Sequence, residues 1–297
     1  MPDRDAFRRR LPALKGAVEA RLDELSTHVD GGPEPLTEAV RYALLAPGKR
    51  LRPLLTVAAA AHFGAEEDAA LDPGCAIEMV HAASLILDDL PCMDDAALRR
   101  GLPTVHRRFG EDVAVLAAVG LLNAAFGVAA EARGVSADCR LRLVRRLSRA
   151  VGFEGLVAGQ VRDLREAAGA RSEQGLASLN HQKTGALFVA AVETGACLAM
   201  SDRPAQAAAR EFGLRLGQAF QIRDDLADAR AGFEDAGKDA GQDQGKVTVV
   251  SLIGPDRARQ AMEAELQAAE DALLAVGPDG PLFAFLDLLR GPATVAA

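Results

Sequence analysis

Apolar residues recur at helical spacing along the 297-residue chain, and runs that alternate as strands do are rare, so the pattern predicts an all-α protein. Residues 3–29 read as an amphipathic helix rich in Arg and Glu, and GGPEP at 31–35 breaks it. A short helix over 36–45 ends at APGK. The apolar helix LRPLLTVAAAAHFG, 51–64, carries Pro53 in its first turn and Gly64 at its close. Residues 72–90, 112–132 and 184–200 are apolar on every face, which predicts three buried helices wrapped by others. Outer helices follow from 136–150 and 152–168, a long helix from 203–229, and closing helices from 255–276 and 281–290. FEDAGKDAGQDQGK, 233–246, is a polar, Gly-rich loop. VTVVSL, 247–252, has strand propensity, but no partner strand is evident, so it reads as helix. No linker is long enough to divide the chain, which predicts one domain over 1–297.

Composition is that of a soluble globular protein, with 49% hydrophobic and 26% charged residues. The net charge of -8 argues against a nucleic-acid binder. No opening signal segment and no unbroken apolar stretch near ~20 residues is evident, so neither export nor membrane insertion is expected. Four cysteines show no CxxC or zinc spacing, which suggests free thiols in a reducing cytoplasm.

Chemistry concentrates in SLILDDLPCMDDAALRRG, residues 84–101. Asp88 and Asp89 end an apolar run, Asp94 and Asp95 follow a Leu-Pro-Cys-Met insert, and Arg99 and Arg100 come next. Carboxylates this close repel unless a cation sits between them. Oxygen donors alone suit magnesium, which fills the rest of its shell with water and substrate phosphate. Two arginines just beyond are placed to grip a phosphate. Pro91 should end the helix near Leu90 and turn the chain back to present Asp94. By helical spacing Asp95 competes for the same role, and the pattern leaves both open. A second acidic cluster, QAFQIRDDLAD, holds Asp224, Asp225 and Asp228, with Asp224 and Asp228 on one helical face. Either cluster alone could be a solvated helix end. Two of them, each after an apolar run, point to a metal-bridged polyanion.

Seven segments in order carry a resemblance: APGKRLRP (46–53), HAASLILDDLPCMDDAALRRGLPTVH (81–106), LAAVGLLNAAFGVAAEA (116–132), GLVAGQVRDL (155–164), HQKTGALF (181–188), LGQAFQIRDDLAD (216–228) and AGKDAGQDQGKVTVVSLIG (236–254). The chain resembles the trans-isoprenyl diphosphate synthases, or polyprenyl synthetases, and most of all their bacterial carotenoid-pathway, geranylgeranyl-forming members. The resemblance implies helices around a deep central cavity, a homodimer, and magnesium, three ions per site. It implies condensation of isopentenyl diphosphate with an allylic diphosphate.

By that resemblance Asp88, Asp94 and Asp224 hold the metal, and Asp89, Asp225 and Asp228 support them. Arg99, Lys183, Thr184, Gln221, Lys238 and Lys246 face the allylic diphosphate. Lys49, Arg52, His81 and Arg100 face isopentenyl diphosphate. Ser84 lies ~6 Å below Asp88 on the same face. It and Ala83 are both small, and many farnesyl-forming relatives carry an aromatic at position 83. With Met79 and Val80 as a floor, this implies a twenty-carbon product. Ala96, Ala97, Ala118, Val119 and Gly120 depart from many relatives and match the carotenoid subgroup. The alternatives are a farnesyl diphosphate synthase, a class I terpene cyclase and a non-catalytic partner subunit.

Overall fold

The computed structural model describes residues 3–27, 32–166, 172–234 and 247–291. The expected Lys238 and Lys246 lie outside them. Helix α1, Arg4–Ser26, is capped by Asp3 and buries Phe7, Leu14, Val18, Leu22 and Leu25 along one face. Then follow α2 (Glu34–Leu44), α3 (Leu51–Phe63), a 3-10 turn (Asp68–Ala70) and α4 (Leu71–Asp88). A hairpin of two strands, β1 (Leu98–Arg99) and β2 (Leu102–Pro103), interrupts the helices. Next come α5 (Val105–Phe109), α6 (Glu111–Glu131), α7 (Ala137–Val151), α8 (Leu156–Arg165) and α9 (Glu173–Asn180). A π turn, His181–Gly185, leads into α10 (Ala186–Leu198), and α11 spans Arg203–Glu234. The short α12 (Val249–Ile253), α13 (Pro255–Leu274) and α14 (Phe283–Arg290) close the chain.

The core runs from Phe7 to Leu289 without a break in its apolar contacts. Helix α3 lies between α4 and α10, and α10 also packs on α11. Small residues make these approaches possible. A Cβ on Gly195 of α10 would stand 2.4 Å from the Ala59 Cβ of α3, and one on Gly74 of α4 would stand 3.0 Å from the Pro53 Cα. The alanine run Ala58–Ala61 is where α10 comes close through Gly195, and Pro53 is where α4 comes close through Gly74.

Two expectations need correction. The reading that no strand finds a partner fails at 98–103, where Arg99 pairs with Leu102. Arg100 and Gly101 both have positive φ, 55° and 77°, the geometry of a two-residue hairpin turn that twists with its strands. The all-round apolarity of 112–132 predicted a buried helix, but α6 exposes Val115, Leu116 and Val119 at 41%, 58% and 57%. By length and composition alone, both the segment Asp68–Asp88 and α6 could cross a membrane; 67% of the first is buried inside the protein and 33% of the second. Within the segment 247–252 read as helix, the helix begins at Val249 and runs to Ile253, with Thr248 as its cap.

His62, in the last turn of α3, is buried against Phe63 and Phe283, and burial lowers its pKa to about 4. The folded state thus keeps the ring neutral while the unfolded chain protonates it near 6.5. The stability this contributes is complete above pH 6.5 and is lost as pH falls towards 4. Urea unfolding between pH 7 and 4 should show His62→Leu losing roughly 3 kcal/mol less than the parent chain. Parallel pH profiles would remove His62 as the cause.

Candidate active site

The site begins where α4 stops. Pro91 cannot continue the helix, and the chain folds back through Met93 N–H to Leu90 O, 2.8 Å, and Asp94 N–H to Asp88 O, 2.9 Å. That second bond returns Asp94 to the mouth beside Asp88, and both line one cavity of about 800 Å³. Asp95, at φ 46°, turns outward to Arg107, 2.9 Å away. Of the two that helical spacing left open, Asp94 lines the cavity and Asp95 does not.

The hairpin then brings both arginines to the same cavity. Arg99 donates through Nε to buried Asp89, 3.0 Å. Burial pulls the Arg99 pKa down, but the Asp89 hydrogen bond and charge outweigh it and hold the guanidinium above its ordinary value. Asp89 therefore positions Arg99. Burial lowers the Arg100 pKa, Glu78 notwithstanding. Arg100 rests on Gly48, where a Cβ would meet its Nη1 at 2.7 Å, so the glycine before Lys49 makes room for the guanidinium.

Lys49 and Arg52 enter from the turn that opens α3. Arg50, a residue the sequence reading passed over, anchors that turn. In left-handed geometry, it reaches Glu78 on α4 at 3.1 Å and the Ala46 carbonyl at 2.7 Å, with both charged ends buried. Arg52 stacks over Phe188 at 5.2 Å. Its buried Nε has no partner among the described residues, and burial lowers its pKa. His81 stands beside it, and burial followed by Arg52, Arg100 and Arg99 holds the ring neutral, well below its usual range. An arginine whose buried Nε makes no hydrogen bond among the described residues, next to a histidine denied its proton by surrounding arginines, suits an anion, even with Glu78 and Asp224 lending opposing charge.

Helix α11 supplies Gln221 and Asp224 to the same cavity. Burial raises the Asp224 pKa to about 6; Lys49 opposes this, while Asp228 and Asp225 add to it. Asp225 is buried and accepts from Gln221 Nε2 and from the Val249 N–H at the start of α12, both at 2.9 Å. Asp228 borders a neighbouring hollow of about 180 Å³, which shares Lys183, Thr184 and Gln221 with the main cavity.

The π turn joins the halves, and such turns are frequent at functional sites. Lys183 reaches Asp163 at 2.7 Å and Asp88 at 3.3 Å, and Thr184 donates to Gln221 at 2.9 Å. Gln160 donates to Asp88 at 2.5 Å. Gln160 and Asp163 were missed as functional positions. Their signal was the three-residue spacing within GLVAGQVRDL, which puts both on one face of α8. Close packing fixes the turn, since a Cβ on Gly159 would lie 2.5 Å from Lys183 N and one on Gly217 2.9 Å from the Gly185 Cα.

Among the described residues that line the cavity, α4 supplies Glu78, His81, Leu85 and Asp88 and none of the four expected chain-length positions. Met79, Val80 and Ala83 are sealed in the core. Ser84 is half-buried, with its hydroxyl on the His81 carbonyl at 2.8 Å. As folded here, the cavity reaches Leu85 and Phe220 without opening past Ser84.

No three acidic, histidine or cysteine side chains among the described residues form a closed ion cage. The donors at the mouth are carboxylates from two chain segments, open towards a shared space, and Asp224 is strained by buried negative charge. That set fits a hard divalent cation completing its shell on a bound phosphate.

These features define a predominantly helical enzyme class with a main cavity lined by both carboxylates and cationic side chains. The polyprenyl synthetase family model matches residues 33–272, so the chain belongs to that family. It is 46% identical to the geranylgeranyl diphosphate synthase of Pantoea ananas over 269 residues, covering 90% of this chain and 88% of that protein. The geranylgeranyl diphosphate synthase of Pseudescherichia vulneris is 41% identical, with coverage of 92% and 88%. Among solved structures, an FPP/GFPP synthase from Zymomonas mobilis superposes with a TM-score of 0.82 at 35% identity, covering 98% of this chain and all of that one.

Gly159→Val should force α8 off the π turn and lower the unfolding free energy by about 1–3 kcal/mol in urea denaturation. An unchanged midpoint would mean that α8 does not seat on Lys183 as described.

Proposed function

We propose that this chain condenses isopentenyl diphosphate with an allylic diphosphate and releases geranylgeranyl diphosphate and pyrophosphate. The observation that carries the reading is that Asp88, Asp94 and Asp224 line one cavity together with Lys49, Arg52, Arg99 and Arg100. Named relatives at 46% and 41% identity support the twenty-carbon product. Asp88, Asp94 and Asp224 would hold magnesium, three ions by the family resemblance, which would supply positive charge to neutralise the leaving diphosphate.

The residues then divide the work. Arg99, braced by Asp89, and Lys183, braced by Asp163, hold the allylic diphosphate and stabilise the negative charge that grows as its C–O bond breaks. Lys49, Arg52, His81 and Arg100 hold isopentenyl diphosphate so that its double bond attacks the allylic carbon and forms the new C–C bond. The departing pyrophosphate takes the proton then lost from the adduct. Leu85 and Phe220 keep water from the allylic cation. The product suits carotenoid formation, and the four free thiols suit a reducing cytoplasm.

The exposed apolar face of α6 supports a homodimer, because Val115, Leu116 and Val119 would otherwise stand in water. Leu116→Glu should convert a dimer to a monomer on size-exclusion chromatography; an unchanged elution volume would move the interface elsewhere.

The direct test is chain-length analysis of products from purified protein with magnesium and labelled isopentenyl diphosphate. A C20 diphosphate is expected; a C15 product would favour farnesyl diphosphate synthase, a cyclic hydrocarbon a terpene cyclase, and no incorporation a non-catalytic subunit. Asp88→Ala should lower turnover at least about 100-fold, and near-parent turnover would remove Asp88 from the metal set. Ser84 does not line the cavity as folded, so Ser84→Phe tests the chain-length role that the resemblance implies: a shift of output to C15 would show that the growing chain reaches it. An unchanged product would put the limit to chain growth at another wall.

A further inference from the structure

We propose that Cys139 and Cys197 form a peroxide-sensitive thiol pair that closes into a disulfide between α7 and α10. Their sulfurs stand 3.4 Å apart, and the Cys139 thiol also approaches the Cys197 carbonyl at 3.6 Å. A disulfide needs about 2.05 Å, so the sulfurs must approach by only ~1.4 Å, a shift within reach of side-chain rotation. The helices set up the meeting. Ser136 caps α7 and places Cys139 in its first turn, while Cys197 sits in the last turn of α10. Arg146 of α7 also reaches Glu193 of α10 at 3.8 Å, so the two helices are held together beside the thiol pair.

The other cysteines are differently placed. The Cys75 sulfur faces the Val18 carbonyl at 4.0 Å, and burial pushes its thiol well up. Cys92 is exposed in the turn after α4. Within the pair, the hydrogen bond from Cys139, then Arg146 and Arg142 on α7, hold the Cys197 thiol below its ordinary range against the effect of burial. Both sulfurs are buried, Cys139 at 7% and Cys197 at 2% exposure, so peroxide has to reach Cys197 past the slightly more open Cys139.

The chemistry balances with that oxidant. The Cys197 thiolate attacks one peroxide oxygen, the O–O bond breaks, and the hydroxide released takes a proton to become water. The sulfenic acid is then attacked by the Cys139 sulfur; the S–S bond forms, the S–O bond breaks, and a second water leaves. Two thiols are oxidised and one peroxide is reduced to two waters. The link would close a segment of 58 residues, so the oxidised protein should melt roughly 10 °C higher. Neither cysteine lines the cavity, so turnover should stay within about twofold of the reduced protein.

The test treats the full chain with hydrogen peroxide, removes it, denatures the protein, alkylates free thiols and maps peptides without reductant. The expected result is a Cys139–Cys197 peptide that dithiothreitol releases, with Cys75 and Cys92 alkylated. A Cys75→Ser/Cys92→Ser variant should keep the link, and Cys197→Ser should lose it. Four alkylated cysteines, or links through Cys92, would overturn the proposal. The parent chain decides the matter even if a variant fails to fold.

Discussion

Like charge gathered in a buried space is the constraint on which this structure turns. Asp88, Asp94 and Asp224 line one cavity, and burial lifts Asp224 to about 6. Arg52, Arg99 and Arg100 line the same cavity, and burial with their combined charge drives His81 to its neutral form. Each set of charges is costly by itself. The fold lowers that cost with local partners, Asp89 for Arg99, Glu78 for Arg50, and Gln160 with Lys183 for Asp88. Cations bound to a diphosphate would satisfy both sets at once, which is why the site and the chemistry are one problem.

Holding these charges at a fixed separation falls to small residues. Gly74 and Gly195 let α4 and α10 reach α3, and Gly159, Gly185 and Gly217 bring α8, the π turn and α11 together. The charged positions ride on these contacts: Asp88 at the end of α4, Gln160 and Asp163 on α8, Lys183 and Thr184 on the turn, Asp224 on α11. A methyl added at any of these glycines would shift a charged group as well as open a packing fault.

Much of this was legible in the sequence, because helical periodicity and the position of acidic groups after apolar runs survive folding unchanged. The ends of α3, α7 and α10 and the pairing of the two aspartate clusters follow from it. Other features depend on tertiary context. Periodicity could not separate Asp94 from Asp95; a left-handed Asp95 and a hydrogen bond to Asp88 O do. Composition could not tell a buried α6 from one with an apolar face left to water, since both are written in the same residues. The hairpin was hidden because its turn is Arg-Gly, a pair with weaker turn preference than Asn-Gly. Smallness at Ala83 suggested space, but Ala83 is small because the core is close there. Arg50 was hidden for the opposite reason: its neighbours Lys49 and Arg52 were the expected ligands, while its own charge is spent inside the protein on Glu78.

The central claim is that Asp88 and Asp224 act on one and the same diphosphate. Calorimetric binding of inorganic pyrophosphate with magnesium to the parent chain, Asp88→Asn, Asp224→Asn and the double variant tests it most directly. Shared action predicts a coupling of about 1 kcal/mol or more between the two substitutions. Losses that simply add, within about 0.5 kcal/mol, would show two independent sites and contradict the account.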